Sequence, residues 1–131
     1  YQVVAMNLEQ AQAAARAALE KHHYKDVCSV VQYQDTKDPK TKLTRKQEVT
    51  VLENQPCKLS FETVKGAEGT DTATALSQII KLFIAPEVTI SPGSKIVITH
   101  EGRTGEYSQS GIPAVYPTHQ EIVLTVFERW A

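Results

Sequence analysis

What this chain lacks narrows the possibilities first. No apolar run approaches the roughly 20 residues that a membrane-spanning helix requires, so the sequence predicts no such span. No basic segment followed by a long apolar one stands near the start, and no secretory signal is expected. An excess of one charge sign is missing too. The formal net charge is −1, with acids and bases interspersed, which provides neither a broad basic field for nucleic acid nor an acidic tail. Cysteine is confined to Cys28 and Cys57, each inside an apolar stretch and with no metal-ligand spacing between them. Two buried, reduced thiols are expected; a disulfide cannot be read from sequence alone. Chemical motifs are missing as well. There is no Gly-x-Ser-x-Gly elbow and no Gly-rich loop ending in Lys and Ser or Thr. Met6 is the sole methionine. Tyr1 to Ala5 precede it and contribute no element to the expected fold.

What is present is enough for one domain over residues 1–131. The chain is 41% hydrophobic and 22% charged, a globular composition, and long enough to bury a core without metals or disulfides. No internal repeat or boundary divides it. Residues 7–23 predict a helix. Asn7 can cap it, Gln10 stands where a capping box reaches back, and the interior is rich in Ala, Leu, Glu and Lys. Leu8, Ala11, Ala15, Ala18 and Leu19 share a narrow face, which suits close packing on its own domain or on a neighbouring subunit.

After the helix the period changes to two. Residues 27–33 alternate as a strand, 35–44 form a polar connection, and 47–52 return with β-branched Val49, Thr50 and Val51. A turn is expected at 54–56 and a short separate strand at 57–61. Residues 62–77 are rich in Gly, Thr and Ala. A connection of that length is usually functional or disordered, and 72–78 could form a helical turn. Residues 79–84 predict a core strand. Ser91-Pro92-Gly93-Ser94 fits a type II turn, and Glu101-Gly102-Arg103 a tight hairpin between strands 95–100 and 104–108. A loop is expected at 110–113 and a long closing strand at 119–130. One helix and about seven short strands at close spacing predict a mainly β fold. It is a small antiparallel β-barrel or sandwich over 27–131, with an N-terminal α-helix and long loops.

Candidate chemistry is sparse. His22 and His23 end the helix, where such rings favour the dipole. His119 and Glu121 share a strand face and could act as base and orienter, but one pair is too few ligands for a metal. His100 is expected to be solvated at a hairpin edge. The aromatic residues Tyr107, Tyr116, Phe127 and Trp130 gather late in the chain. They suit core and interface packing better than base stacking, because basic neighbours are missing. The one basic stretch, Lys37, Lys40, Lys42, Arg45 and Lys46, also carries Asp35, Asp38 and Pro39. It reads as a solvated turn, with DNA or an acidic partner as the alternative. No catalytic residue, metal or cofactor is expected, and the chain is not expected to be an enzyme.

Five phrases carry a resemblance. They are Pro56-Cys57-Lys58-Leu59-Ser60-Phe61, Lys81-Leu82-Phe83-Ile84-Ala85-Pro86, Pro92-Gly93-Ser94-Lys95-Ile96, the stretch from Gly111 through Pro113-Ala114-Val115-Tyr116 to His119-Gln120-Glu121-Ile122, and Phe127-Glu128-Arg129-Trp130-Ala131. Together they resemble the head-closure proteins (stopper, head-completion or head-to-tail connector proteins) of tailed phages and prophages of Gram-positive bacteria. The resemblance covers about residues 27–131, and none of its phrases carries chemistry. It implies a β-barrel assembled as a homo-oligomeric ring, roughly twelve-fold, in the virion neck. Portal and adaptor proteins would lie above it, tail-completion or tail-tube proteins below, and packaged DNA would be held non-specifically in the channel. The subunit would be made in the host cytoplasm and have no membrane partner. The resemblance also implies a channel-gating loop. By length and composition that loop is placed at Val64, Lys65, Gly66, Gly69, Thr70, Thr72 and Thr74. The other extended loop, with Lys37, Lys40, Lys42 and Arg45, would contact the adaptor or a neighbour. A tail-completion or tail-terminator ring protein is the alternative reading, followed by a small β-barrel binding module.

Overall fold

The computed structural model describes residues 7–65 and 76–130. Helix α1 runs Leu8–His22. Its start is the expected capping box: Asn7 Oδ1 accepts from the Gln10 N–H at 2.8 Å, and Gln10 Oε1 accepts from the Asn7 N–H at 3.2 Å. These bonds satisfy donors that a helix N-terminus otherwise leaves unpaired. The helix buries none of its residues. Gln12, Ala15, Arg16 and Leu19 are half covered, and the Arg16 Nε–H donates to the Pro117 carbonyl at 2.8 Å. Of the expected contact face, Ala15 is half covered and Leu19 lines a hollow with Lys58 and Phe83 of the barrel, whereas Leu8 is 72% exposed.

Among the described residues six strands follow: β1 Asp26–Lys37, β2 Thr44–Lys65, β3 Leu76–Ile84, β4 Lys95–His100, β5 Arg103–Val115 and β6 Gln120–Val126. They close into an antiparallel barrel in the order β1-β2-β3-β6-β5-β4. Cys28, Val30, Cys57, Leu59, Leu82, Ile84, Ile96, Ile98, Ile122 and Leu124 point inward at period two and form its core. Ile90 joins them from the connection before β4. The buried Gln120 amide holds that connection by donating to the carbonyls of Ala85 and Val88. Cys28 and Cys57 are free thiols, both fully buried. A bond to Cys28, reinforced by burial, pushes the Cys57 thiol far above its ordinary range, so both act as small apolar groups.

The expected turn at 54–56 does not form. Residues 47–52 and 57–61 belong to one 22-residue strand, β2. Its register against β1 slips twice, between Cys28 and Val30 and again between Val30 and Val31. Each slip inserts an extra β2 residue, and Asn54 takes φ 52° at the first. Asn tolerates that left-handed conformation, so the same residue that signals a turn serves a bulge here. Bulges bend a strand and increase its twist. This bend lets β2 pair with β1 up to Cys57 and with β3 from Cys57 onward. The expected loop at 110–113 is likewise an irregularity inside β5, with Gly111 at φ 77°. The closing strand is shorter than expected. β6 ends at Val126, and residues 127–130 run on as a tail outside the regular strands. Of the expected helical turn at 72–78, residues 76–78 lie in β3 and the remainder lie outside the described residues.

Two turns form as the sequence dictates. Gly93 takes φ 84° after Pro92, closed by the Ser94 N–H donating to the Ser91 carbonyl at 3.2 Å. Glu101 and Gly102, at φ 51° and 74°, link the paired His100 and Arg103. Two successive left-handed residues match the twist of a hairpin.

Candidate functional site

Strand β2 is longer than the barrel needs, and both its ends project. At its start it pairs with β1 alone. β1 loses its β4 partner after Val31, so residues 32–37 and 44–49 form a two-stranded ribbon. At its end β2 pairs with β3 alone. β3 loses its β6 partner before Ile80, so residues 62–65 and 76–79 form a second ribbon. Each ribbon leaves a row of backbone N–H and C=O groups without a strand partner.

The first ribbon holds the basic stretch. Lys37, Arg45 and Lys46 lie on its strands, and Lys40 and Lys42 lie at its tip. The tip closes through Asp38. Its N–H donates to the Leu43 carbonyl, its carbonyl accepts from the Lys42 N–H, and its Oδ1 accepts from the Lys40 N–H. The second ribbon holds Val64 and Lys65, paired with Ser77 and Leu76. The other candidate gate residues, Gly66, Gly69, Thr70, Thr72 and Thr74, lie outside the described residues.

Each ribbon stands on a charged anchor that the sequence did not reveal. Under the first is Lys95. It begins β4 on the outer face of the barrel, yet it is 8% exposed. The tail covers it. Phe127 N–H donates to the Glu106 carbonyl at 3.0 Å, and Trp130 stacks on Tyr33 of β1 at 5.1 Å and 10°. Lys95 Nζ lies 5.3 Å from the Phe127 ring centre and 5.6 Å from that of Trp130, within the range of cation–π attraction. It donates to Glu48 Oε2 at 2.8 Å and pairs with Glu106 Oε2 at 3.3 Å. Trp130 Nε1–H donates to the same Glu48 oxygen at 3.0 Å. These two donors, Lys95 first, hold the Glu48 carboxyl below its ordinary range. The Glu48 bond in turn raises Lys95 against the opposing effect of burial.

Under the second ribbon is Asp26, also 8% exposed. Its Oδ2 accepts from the Leu59 N–H at 2.8 Å and bonds His100 Nδ1 at 2.9 Å. The first bond stands in for a strand partner. β1 has ended, and a carboxylate meets the edge of β2 instead. His100 is therefore half-buried and engaged, not solvated as expected. Phe61 tilts toward it at 5.9 Å. A depression of about 490 Å³ beside them is lined by Leu59, Phe61, His100, Arg103, Thr104 and Tyr107, among others.

His119 and Glu121 do meet, at 3.0 Å, but the imidazole is fully occupied. Nε2 bonds Glu121, Nδ1 bonds Thr118 Oγ1 at 3.1 Å, and Tyr116 stacks on the ring at 4.9 Å. Glu121 also pairs with Lys81 at 3.8 Å. Among the described residues no group of three or more His, Cys, Asp or Glu side chains converges on a metal position. What the geometry offers is gripping surface: open ribbon edges on rigid anchors.

No family model matches this chain, and no curated protein matches it. One solved structure is similar, protein xkdH of the phage-like element PBSX from Bacillus subtilis. The two are 10% identical, the match covers 77% of this chain and 93% of that one, and the TM-score is 0.46. That likeness is too slight to assign a family or a role.

Proposed function

We propose that this chain is a structural subunit of a tailed-phage neck, a head-closure ring protein that joins the portal-adaptor to the tail and helps retain packaged DNA. The five sequence phrases support the reading. The structural observation that carries it is the placement of open edges. A closed barrel removes edges from the body of the fold, but both ends of β2 extend past it with unpaired backbone. In a monomer such edges are a liability, and in a closed ring they are connectors. They leave β2 at its two ends, so the second ribbon can supply the edge for a heterologous, head-to-tail contact while the first stays open.

The test is electron microscopy of particles made with an amber mutation in this gene. Empty, tailless heads that keep their portal, beside free full-length tails, support head closure. DNA-filled heads with malformed or unattached tails move the protein to the tail-completion or terminator position. Normal particles overturn both.

A further inference from the structure

We propose that the first ribbon, 32–37 paired with 44–49, is a phosphate-binding element that holds duplex DNA through its backbone, independently of base sequence. Three observations converge. The first is charge. Residues 32–49 contain five cations and three acids, and one of those acids, Glu48, is already engaged by Lys95, in a chain whose net charge is −1. The second is availability. On the barrel, Lys81, Lys95 and His100 are paired with carboxylates, and the cations that are not, Lys58 of β2 and Arg103 of β5, stand singly and far apart in sequence. None of the ribbon's five cations forms an ion pair among the described residues; Lys46 merely lies 5.9 Å from the Tyr33 ring centre. Of the ribbon's acids, Asp38 is turned into the tip's own backbone. The third is shape. A hollow of about 240 Å³ opens on the ribbon flank, lined by Thr36, Lys37, Asp38, Pro39, Arg45 and Gln47. By register Arg45, Gln47 and Thr36 share one face of the ribbon there and Lys37 lies on the other, and the Asp38 oxygen in the same lining is engaged by the Lys40 N–H. A guanidinium, a carboxamide and a hydroxyl on one face suit a phosphate, whose contacts in protein–DNA complexes come from Arg, Lys and uncharged donors such as Gln and Thr.

An acidic protein partner fits less well. Protein interfaces concentrate their energy in a few large aromatic or Arg anchors set in dry pockets. The ribbon's aromatic residue Tyr33 is already covered on one side by Trp130, and the tip offers Leu43, 64% exposed. A two-stranded ribbon is also of a size that B-DNA grooves admit. The inference names the ribbon as the DNA contact within the neck reading, but it stands on the ribbon's own chemistry. A chain that binds DNA yet is dispensable for particles would lose the neck reading and keep this one.

The test is fluorescence anisotropy of the full chain with two labelled duplexes of different base composition. Binding should be equal within about threefold and should weaken on the order of 10²-fold between 50 and 200 mM salt, as release of about four counterions requires. Replacing Lys37, Lys40, Lys42 and Arg45 together by Gln should abolish binding at 50 mM salt, and the matching variant with Arg at all four positions should restore it. Arg129→Gln and Leu43→Ala should leave binding unchanged. The ribbon is solvent-exposed, and an unchanged circular dichroism melt verifies that each variant is folded. The proposal is overturned by no binding at 50 mM salt, by binding that survives the quadruple Gln variant, by loss on Leu43→Ala, or by polyglutamate competing as well as DNA at equal charge.

Discussion

Lys95 and Asp26 each place a buried charge at the root of a ribbon, but they depend on different partners. Lys95 is held by two carboxylates with one foot in water; the Glu48 and Glu106 side chains are 50% and 53% exposed. Asp26 is held by a backbone N–H on β2 and by His100. Without Lys95, its partners turn to solvent. Without Asp26, the Leu59 N–H has nowhere to turn, because Leu59 is 4% exposed. The cost of removing a buried charge therefore depends on whether its partners can reach water. Asp26 should be the more costly to lose, although its cluster makes fewer contacts.

The largest effect tests that directly. Asp26→Ala should destabilise the barrel by about 2–4 kcal/mol, the range for orphaning a buried donor together with a charged bond. Asp26→Asn keeps an acceptor for Leu59 and should cost roughly half as much. Urea denaturation with an unchanged slope would measure both. A cost for Asp26→Ala no greater than that for Lys95→Met would break the comparison.

Trp130→Ala comes next. It removes the stack on Tyr33, the donor to Glu48 and the cover over Lys95. A loss of about 1.5–2.5 kcal/mol is expected for a half-buried indole with one charged bond. Trp130→Phe keeps the stack and should recover most of it. Thermal melts followed by tyrosine fluorescence would separate the two.

Much of the fold is legible in the sequence because it is locally encoded. The Asn7–Gln10 capping box, the Pro92-Gly93 turn, the Glu101-Gly102 hairpin and the period-two core from Cys28 to Leu124 each depend on residues near one another in the chain. The bulges of β2 were not legible. Asn54 carries the same left-handed preference in a turn as in a bulge, and the choice is made by β1 across the sheet. The anchors were hidden for the same reason. The alternation of 95–100 correctly puts Lys95 on the outer face, but burial there comes from a tail more than 30 residues later in the chain. Asp26 and His100, 74 apart in sequence, meet only once the barrel closes.

Lys95→Met sharpens the comparison from the other side. Its stem already packs on Phe127 and Trp130, and a thioether of similar length can keep those contacts. Stability near neutral pH should change by less than about 1 kcal/mol.

The smallest effect is in how that difference depends on pH. Glu48 is lowered in the folded chain from an ordinary value of 4.5, chiefly by the Lys95 bond. A carboxyl lowered on folding contributes stability that is complete above its unfolded pKa and is lost as pH falls through the folded one. Lys95 is raised from 10.5, chiefly by the same bond. Its contribution is complete below 10.5 and is lost as pH rises through the higher folded value. The difference between the parent chain and Lys95→Met should therefore be flat from about pH 5 to 10 and shrink at both ends. Asp26→Ala sets the contrast, because the Leu59 amide it orphans does not titrate. A difference from the parent that shrinks in acid for Lys95→Met but persists for Asp26→Ala would separate a bond between two charges from a carboxyl that stands in for a strand.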